Sequence, residues 1–276
     1  MFIDIIWRSK MSCYKYWDKI KSIANSLDKY QKCKPDEIPL DEIIKLLDSV
    51  EIIAHDQEID FDSAKHILDD DQMNEALKII RKFYVRLGAR LEIENAKAIL
   101  KSSDPWSTLE SFYFYNRYQG LIKNENQLVK FTPEQKVVFI GGGPLPLTLI
   151  LFNKLFKSQC VSVEIQPEVA KISRQVLKKL GMPEIEVIEG DETSIKDMDY
   201  TVIMVAALAE PKERVFTNIW EMVDTTTPII YRTYTGMRAI LYSPVTEKAT
   251  RGFHKEVMIL PTGKVNNTSV LIRKIV

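Results

Sequence analysis

At 276 residues the chain exceeds one average domain and falls short of three, so length favours two. With 45% hydrophobic and 28% charged residues it is a folded protein, neither a disordered chain nor a membrane bundle. The 38 Lys and Arg balance the 38 Asp and Glu, and each half is near neutral, which argues against nucleic acid as the main partner. The three cysteines, Cys13, Cys33 and Cys160, form no close pair, so neither a disulfide framework nor a CxxC metal site is expected, and they read as reduced thiols in a cytoplasmic protein. The opening MFIDIIWRSK is interrupted by Asp4 and is too short for a secretory h-region. The stretch Leu145 to Phe152 is broken by Pro146 and Thr148 and cannot span a bilayer.

Up to about residue 130 the patterning is helical. In LDEIIKLLDSVEIIA, the apolar residues Leu40, Ile43, Ile44, Leu47, Val50 and Ile53 recur at steps of three and four, with Asp41 and Glu42 at the acid-favouring start. A further helix is predicted from about Asp71 to Gly88, and the pattern resumes at once as ARLEIENAKAIL. This is either one helix with an internal glycine or two helices meeting there. In SSDPW, Ser103 or Asp104 can cap a helix that has Pro105 at its first position. The aromatic-rich WSTLESFYFYNRYQGLIKNE follows as another helix.

The pattern changes at Thr132-Pro133. KVVFIGGG is a short apolar run ending in glycines, as a strand buried on both faces should be. A helix (146–156) follows, then VSVEI, a helix from Glu168 to Leu180, IEVIEGD, YTVIMVAAL, a helix from Pro211 to Met222, and TPIIYRTY. This alternation predicts βαβ units in a parallel sheet. HKEVMILP and TSVLIRKIV have no helix between them and read as an antiparallel pair at the edge.

Ligands of such sheets lie beyond the carboxyl ends of the strands. Gly141, Gly142 and Gly143 end the first strand, and Glu164 ends the second, 21 residues after Gly143. This is the arrangement in which an acid holds ribose hydroxyls after a glycine turn. Asp191, after the third strand, could meet an adenine. Dinucleotide folds hold pyrophosphate on backbone N–H groups, yet here the glycines run into Pro144-Leu145-Pro146, and prolines remove such donors. The loop suits a nucleoside cofactor without phosphates, S-adenosylmethionine foremost, with NAD the lesser choice.

GGGPLPLTLILF, VAALAEPKE and YRTYTGMRAILYSP resemble three segments of the nicotianamine synthases. FYFYNRYQGLIKNE is similar to the aromatic motif ahead of that family's cofactor domain. The resemblance runs in order from about residue 85 to 245, and the chain's length and termini look like the archaeal branch. The second-strand acid region (VEIQP) and Arg117, where the family usually has Asn, depart from the pattern. The resemblance implies a transferase that moves the 3-amino-3-carboxypropyl group of S-adenosylmethionine onto an amine and releases methylthioadenosine. Repeated transfer would build a linear metal-chelating product.

Such chemistry needs a group that takes a proton from the acceptor ammonium and holds the amine in line with one sulfonium carbon. Glu92, with Tyr84, Gly88, Ala96 and Ile99 on its helix face, is the candidate. On the residues alone Glu94 is as good; the resemblance, in which an LE pair precedes the aromatic motif, favours Glu92. Tyr118 is the expected partner, with Tyr115 walling the pocket. Arg232, Tyr234 and Arg238 follow the fifth strand, where guanidinium forks could grip the acceptor's carboxylates. The cofactor-binding set is Gly141, Gly142, Gly143, Pro144, Glu164, Asp191 and Ala206. His55, His66 and His254 share no ligand spacing, so no metal site is expected in the protein.

The expected architecture is α/β: an all-helical domain (1–130) packed over the cofactor mouth of a Rossmann-like domain of the class I methyltransferase type (131–276). The expected partners are small-molecule amino acids, not nucleic acid or membrane. The oligomeric state and the first acceptor, glutamate or a unit derived from S-adenosylmethionine, stay open. The rival readings are an S-adenosylmethionine-dependent methyltransferase with a helical lid and a non-catalytic module whose Rossmann half senses the cofactor.

Overall fold

The computed structural model describes residues 2–275; the side chain of Cys13 lies outside the described residues. The chain divides into two compact units, one of residues up to Leu91 with Tyr234–Pro244, the other of Glu92–Thr233 with the chain from Val245 onward. The change from helix-only to alternating patterning does fall near residue 130. Compactness divides the chain elsewhere, however, and residues 92–128 group with the sheet.

The first unit is helical. α1 (Phe2–Asp28) buries Tyr16, Ile20, Ala24 and Leu27, a stripe at steps of four and three. α2 (Leu40–Ala54) buries the face the spacing predicted, from Ile43 and Leu47 through Val50 and Ile53. α3 (Phe61–Leu68) is capped by Asp60, whose carboxylate accepts the Ser63 N–H at 2.7 Å. After a 3-10 turn at Asp71–Met73, α4 runs without a break from Asn74 to Lys101. Gly88 is therefore internal to one helix, and the division between units falls in it. Residues 234–244 return to the first unit, where the Arg81 side chain donates to the Ala239 carbonyl at 2.8 and 3.1 Å.

The second unit starts with the end of α4, α5 (Pro105–Glu110) and α6 (Tyr115–Leu128). Asp104 caps α5 by accepting the Ser107 N–H at 3.1 Å, with Pro105 in the first turn as the sequence suggested. There follow β1 (Lys136–Ile140), α7 (Leu147–Phe156), β2 (Gln159–Glu164), α8 (Pro167–Lys179), β3 (Glu186–Glu189), β4 (Val202–Val205), α9 (Lys212–Met222), β5 (Ile229–Thr233), β6 (Phe253–Ile259) and β7 (Thr268–Lys274). The seven strands form one sheet in the order β3-β2-β1-β4-β5-β7-β6. The first five are parallel, and β7 inserts antiparallel between β5 and β6. The edge pair is thus antiparallel as expected, and the architecture is the Rossmann-like α/β arrangement.

The strands' contribution to the core is mainly aliphatic: Val138, Ile140, Val161, Val163, Ile203 and Val205 are all nearly inaccessible, with Phe216, Tyr231 and Phe253 packed in the same cluster. Parallel strands covered on both faces need this composition. The chain order reverses between β1 and β4, so the crevice of such a sheet opens beyond Ile140 and Val205. Among the described residues no helix is long and apolar enough to cross a membrane.

Candidate functional site

The glycine turn after β1 is built against β2. The N–H groups of Gly141 and Gly142 both donate to the Val163 carbonyl, at 2.8 and 3.3 Å, and the Gly143 N–H donates to Glu164 Oε2 at 2.9 Å. Pro144 has no N–H to offer. The donors that a pyrophosphate cradle would present are engaged by the chain itself, the physical counterpart of the prolines noted in the sequence. Gly141 and Gly143 hold φ of 87° and 71°, which a side chain would strain. Gly142 is a glycine for want of space: a Cβ there would sit 1.8 Å from Ser162 Oγ.

Glu164, at the end of β2, is buried, and its other oxygen accepts the Gln166 N–H at 2.9 Å. Each carboxylate oxygen accepts more than one bond, so ribose-hydroxyl capacity remains. Asp191 spends Oδ1 on the Thr193 N–H (3.0 Å) and hydroxyl (2.6 Å), and these bonds hold its carboxyl below the usual range. Ala206 follows β4, and its N–H donates to the Ile140 carbonyl at 3.0 Å. A Cβ on Gly141 would lie 3.1 Å from the Ala206 Cβ, so the loop after β4 closes on the glycine turn. The structure therefore brings the expected cofactor residues together at the sheet's carboxyl ends.

Glu92 joins them from α4. Its Oε2 lies 3.4 Å from where a Cβ on Gly143 would stand. Part of its surface stays accessible, but the atoms around the carboxyl strip it of bulk water. Desolvation pushes its pKa up to about 7, helped by the like charge of Glu164 and opposed by a hydrogen bond from Tyr118. A carboxylate poised near neutrality beside a phenol hydroxyl can accept and return a proton under ordinary conditions. Glu92, Tyr118 and Glu164 all belong to the second unit, so residues of the helical half complete the site within one compact body.

Arg232 behaves differently from the expectation. It is buried near the end of β5 and forks onto Glu125 of α6, Nε to Oε1 at 2.7 Å and Nη2 to Oε2 at 2.9 Å. That carboxylate occupies the edge of the guanidinium that the sequence had offered to a substrate. The guanidinium also lies 5.0 Å from the Phe139 ring centre and 5.7 Å from that of Tyr118. Glu125 was missed, although it lies in the quoted aromatic motif; nothing in its spacing distinguishes it from a solvated helix glutamate. Tyr115 is grouped with α5 and α7 rather than with Glu92. Its hydroxyl lies with Gln119, Glu110 and Lys154, and burial raises its pKa. Tyr234 and Arg238 fall in the first unit. There Tyr234 packs against Tyr242 with ring centres 5.9 Å apart and planes tilted by 53°, and burial lowers the Arg238 pKa.

Comparison with known proteins gives a consistent result. The family model described as nicotianamine synthase protein matches residues 12–276. Nicotianamine synthase of Solanum lycopersicum is 25% identical over 225 residues, 75% of this chain and 71% of that protein. Probable nicotianamine synthase 4 of Arabidopsis thaliana is 26% identical over 231 residues, 75% and 70% of the two chains. Among solved structures, MtNAS in complex with MTA and tNA is 54% identical with a TM-score of 0.91, covering 94% of this chain and 98% of its own. A glutamate-to-glutamine variant of MtNAS in complex with S-adenosylmethionine is likewise 54% identical over the same shares, with a TM-score of 0.89.

Proposed function

The chain belongs to the nicotianamine synthase family, and on that premise we propose that it transfers the 3-amino-3-carboxypropyl group of S-adenosylmethionine to an amino-acid amine, iteratively, to make a nicotianamine-like chelator. The observation that carries this reading is Glu92, held at a pKa of about 7 beside Tyr118 and against Gly143. S-adenosylmethionine supplies the activated carbon next to a sulfonium. Gly141–Gly143, Glu164, Asp191 and Ala206 hold its adenosine part. Glu92 takes the proton from the acceptor ammonium, Tyr118 fixes its orientation, and the free amine forms the new C–N bond. The C–S bond breaks as it forms, and its electron pair stays on the sulfur of neutral methylthioadenosine.

The carboxylate pair suits this substrate. Glu92 and Glu164 flank Gly143 where a sulfonium and an ammonium would meet, and two cations are welcome beside two acids. The first acceptor is glutamate or a unit derived from S-adenosylmethionine. Mass spectrometry after incubation with S-adenosylmethionine, with and without glutamate, tests the whole reading. Methylthioadenosine with successive aminocarboxypropyl adducts is expected. S-adenosylhomocysteine with a methylated product would overturn it in favour of a methyltransferase.

A further inference from the structure

We infer that Lys212 is a positioning residue for the cofactor-binding wall, its ammonium gathering the carbonyls of the loop after β4 into the shape that closes on Gly141; this rests on the cofactor reading above. Lys212 opens α9 and is nearly buried. A cation at a helix N-terminus opposes the helix dipole, and a buried one also loses its hydration, so a lysine is poorly placed here unless acceptors converge on it. They do. Nζ donates to the carbonyls of Ala206 at 3.2 Å, Ala207 at 2.8 Å and Ala209 at 2.5 Å. An ammonium has three N–H bonds, one for each. Without it, three carbonyl oxygens would face one another around an empty centre.

The loop so drawn in is the one against the glycine turn. A Cβ on Gly141 would meet the Cβ atoms of both Ala206 and Ala209, at 3.1 and 3.3 Å, two of the three residues whose carbonyls Lys212 holds. Ala206 and Ala207 remain partly accessible and Leu208 is exposed, so the far side of the loop offers apolar surface at the strands' carboxyl ends. Two further residues of α9 do the same for the neighbouring loop. Arg214 and Asn218 grip the buried Glu192, at 3.0 and 2.7 Å, directly after Asp191. One helix thus braces both loops that flank the proposed adenosine site, and Lys212 is its contact with the nearer one.

The brace depends on charge. Glu210 faces Lys212 at 3.6 Å, Arg214 is engaged with Glu192, and Glu213 pairs with Lys248 at 3.0 Å. Burial lowers the Lys212 pKa to about 8 against the pull of Glu210. Above that pH the neutral amine offers two N–H groups to three carbonyls, and the loop loses its centre.

Methylthioadenosine is the probe, because a neutral thioether nucleoside has no group titrating between about pH 6.5 and 9.5. Calorimetry on the full chain from about pH 8 upward, where Glu92 is already the carboxylate, should show parent affinity falling by at most about tenfold per pH unit. Lys212→Met should bind roughly tenfold or more weakly at pH 7, with no fall at alkaline pH. At saturating S-adenosylmethionine its kcat should stay within about threefold of the parent while KM for that substrate rises, since Lys212 touches no reacting atom. Should Lys212→Met fail to fold, the parent's pH profile decides alone. A parent affinity flat to pH 9.5, or a folded Lys212→Met variant that binds like the parent, overturns the role of Lys212 and leaves the cofactor reading standing. A parent that binds no methylthioadenosine at any pH overturns both.

Discussion

Removing Glu125 should destabilise the protein strongly without touching the proposed proton chemistry directly. Glu125 is wholly buried and Arg232 nearly so, and their two hydrogen bonds of 2.7 and 2.9 Å are parallel and charge-assisted. Glu125→Ala leaves a guanidinium in the interior with its main counter-charge gone, while Ser269, 3.5 Å from Glu125, loses its acceptor as well. Breaking one side of a buried pair costs about 3–5 kcal/mol, against a total stability of about 5–15 kcal/mol. At about 2–4 °C per kcal/mol for a protein of this size class, the melting temperature should fall by roughly 6–20 °C. Differential scanning fluorimetry and urea unfolding followed by tryptophan emission would measure it. The double variant Glu125→Leu/Arg232→Met should recover most of the loss, because matched apolar groups need no desolvation of charge. If Glu125→Ala melts within a degree of the parent, the pair does not hold α6 to β5. If it instead raises KM for the acceptor at unchanged stability, Arg232 grips substrate and the internal pairing is incidental.

Other outcomes follow from the same geometry. With Glu92 raised to about 7 and active only as the carboxylate, kcat/KM should fall about tenfold per pH unit below pH 7, and Glu92→Gln should lower it by about 10²–10⁴. At saturating cofactor, Glu164→Gln should move that acid limb slightly to lower pH by removing the like charge, the smaller cause beside desolvation; an unmoved limb would refute the coupling of the two carboxyls. Gly142→Ala should lower the melting temperature, since its Cβ would meet Ser162 Oγ at 1.8 Å and Ser162 Cβ at 3.2 Å, and Ser162→Ala in the same chain, which removes the first contact, should recover part of the loss; no recovery would refute the packing argument. Burial pushes the Cys160 thiol up to about 12, so iodoacetamide at pH 8 should label the partly accessible Cys33 well before Cys160, as peptide mass spectrometry would show.

The sheet and its glycine turn were legible in the sequence because both are local. A strand covered on both faces must be largely apolar, as VVFI is, and a turn at positive φ favours glycine, as at Gly141 and Gly143. The two prolines after them made the turn a poor phosphate cradle, with NAD the lesser choice, and in the structure the glycine N–H groups are engaged by β2. The antiparallel edge followed from the absence of a helix between the last two strands. Glu92 was narrowed from its neighbour Glu94 only by resemblance, for helical spacing says which residues share a face and not what that face meets.

Tertiary structure alone decided where the charges went. Arg232 had the position and chemistry of a carboxylate clamp, and nothing local revealed that Glu125, 107 residues earlier, would fill its fork. The division of the chain shows the same limit: the helices after Leu91 share the patterning of those before it, yet they group with the sheet. Periodicity encodes which side of an element is apolar, a one-dimensional property. The partner of a buried charge and the pKa of a carboxyl depend on groups distant in the chain, and they exist only once the chain has closed around them.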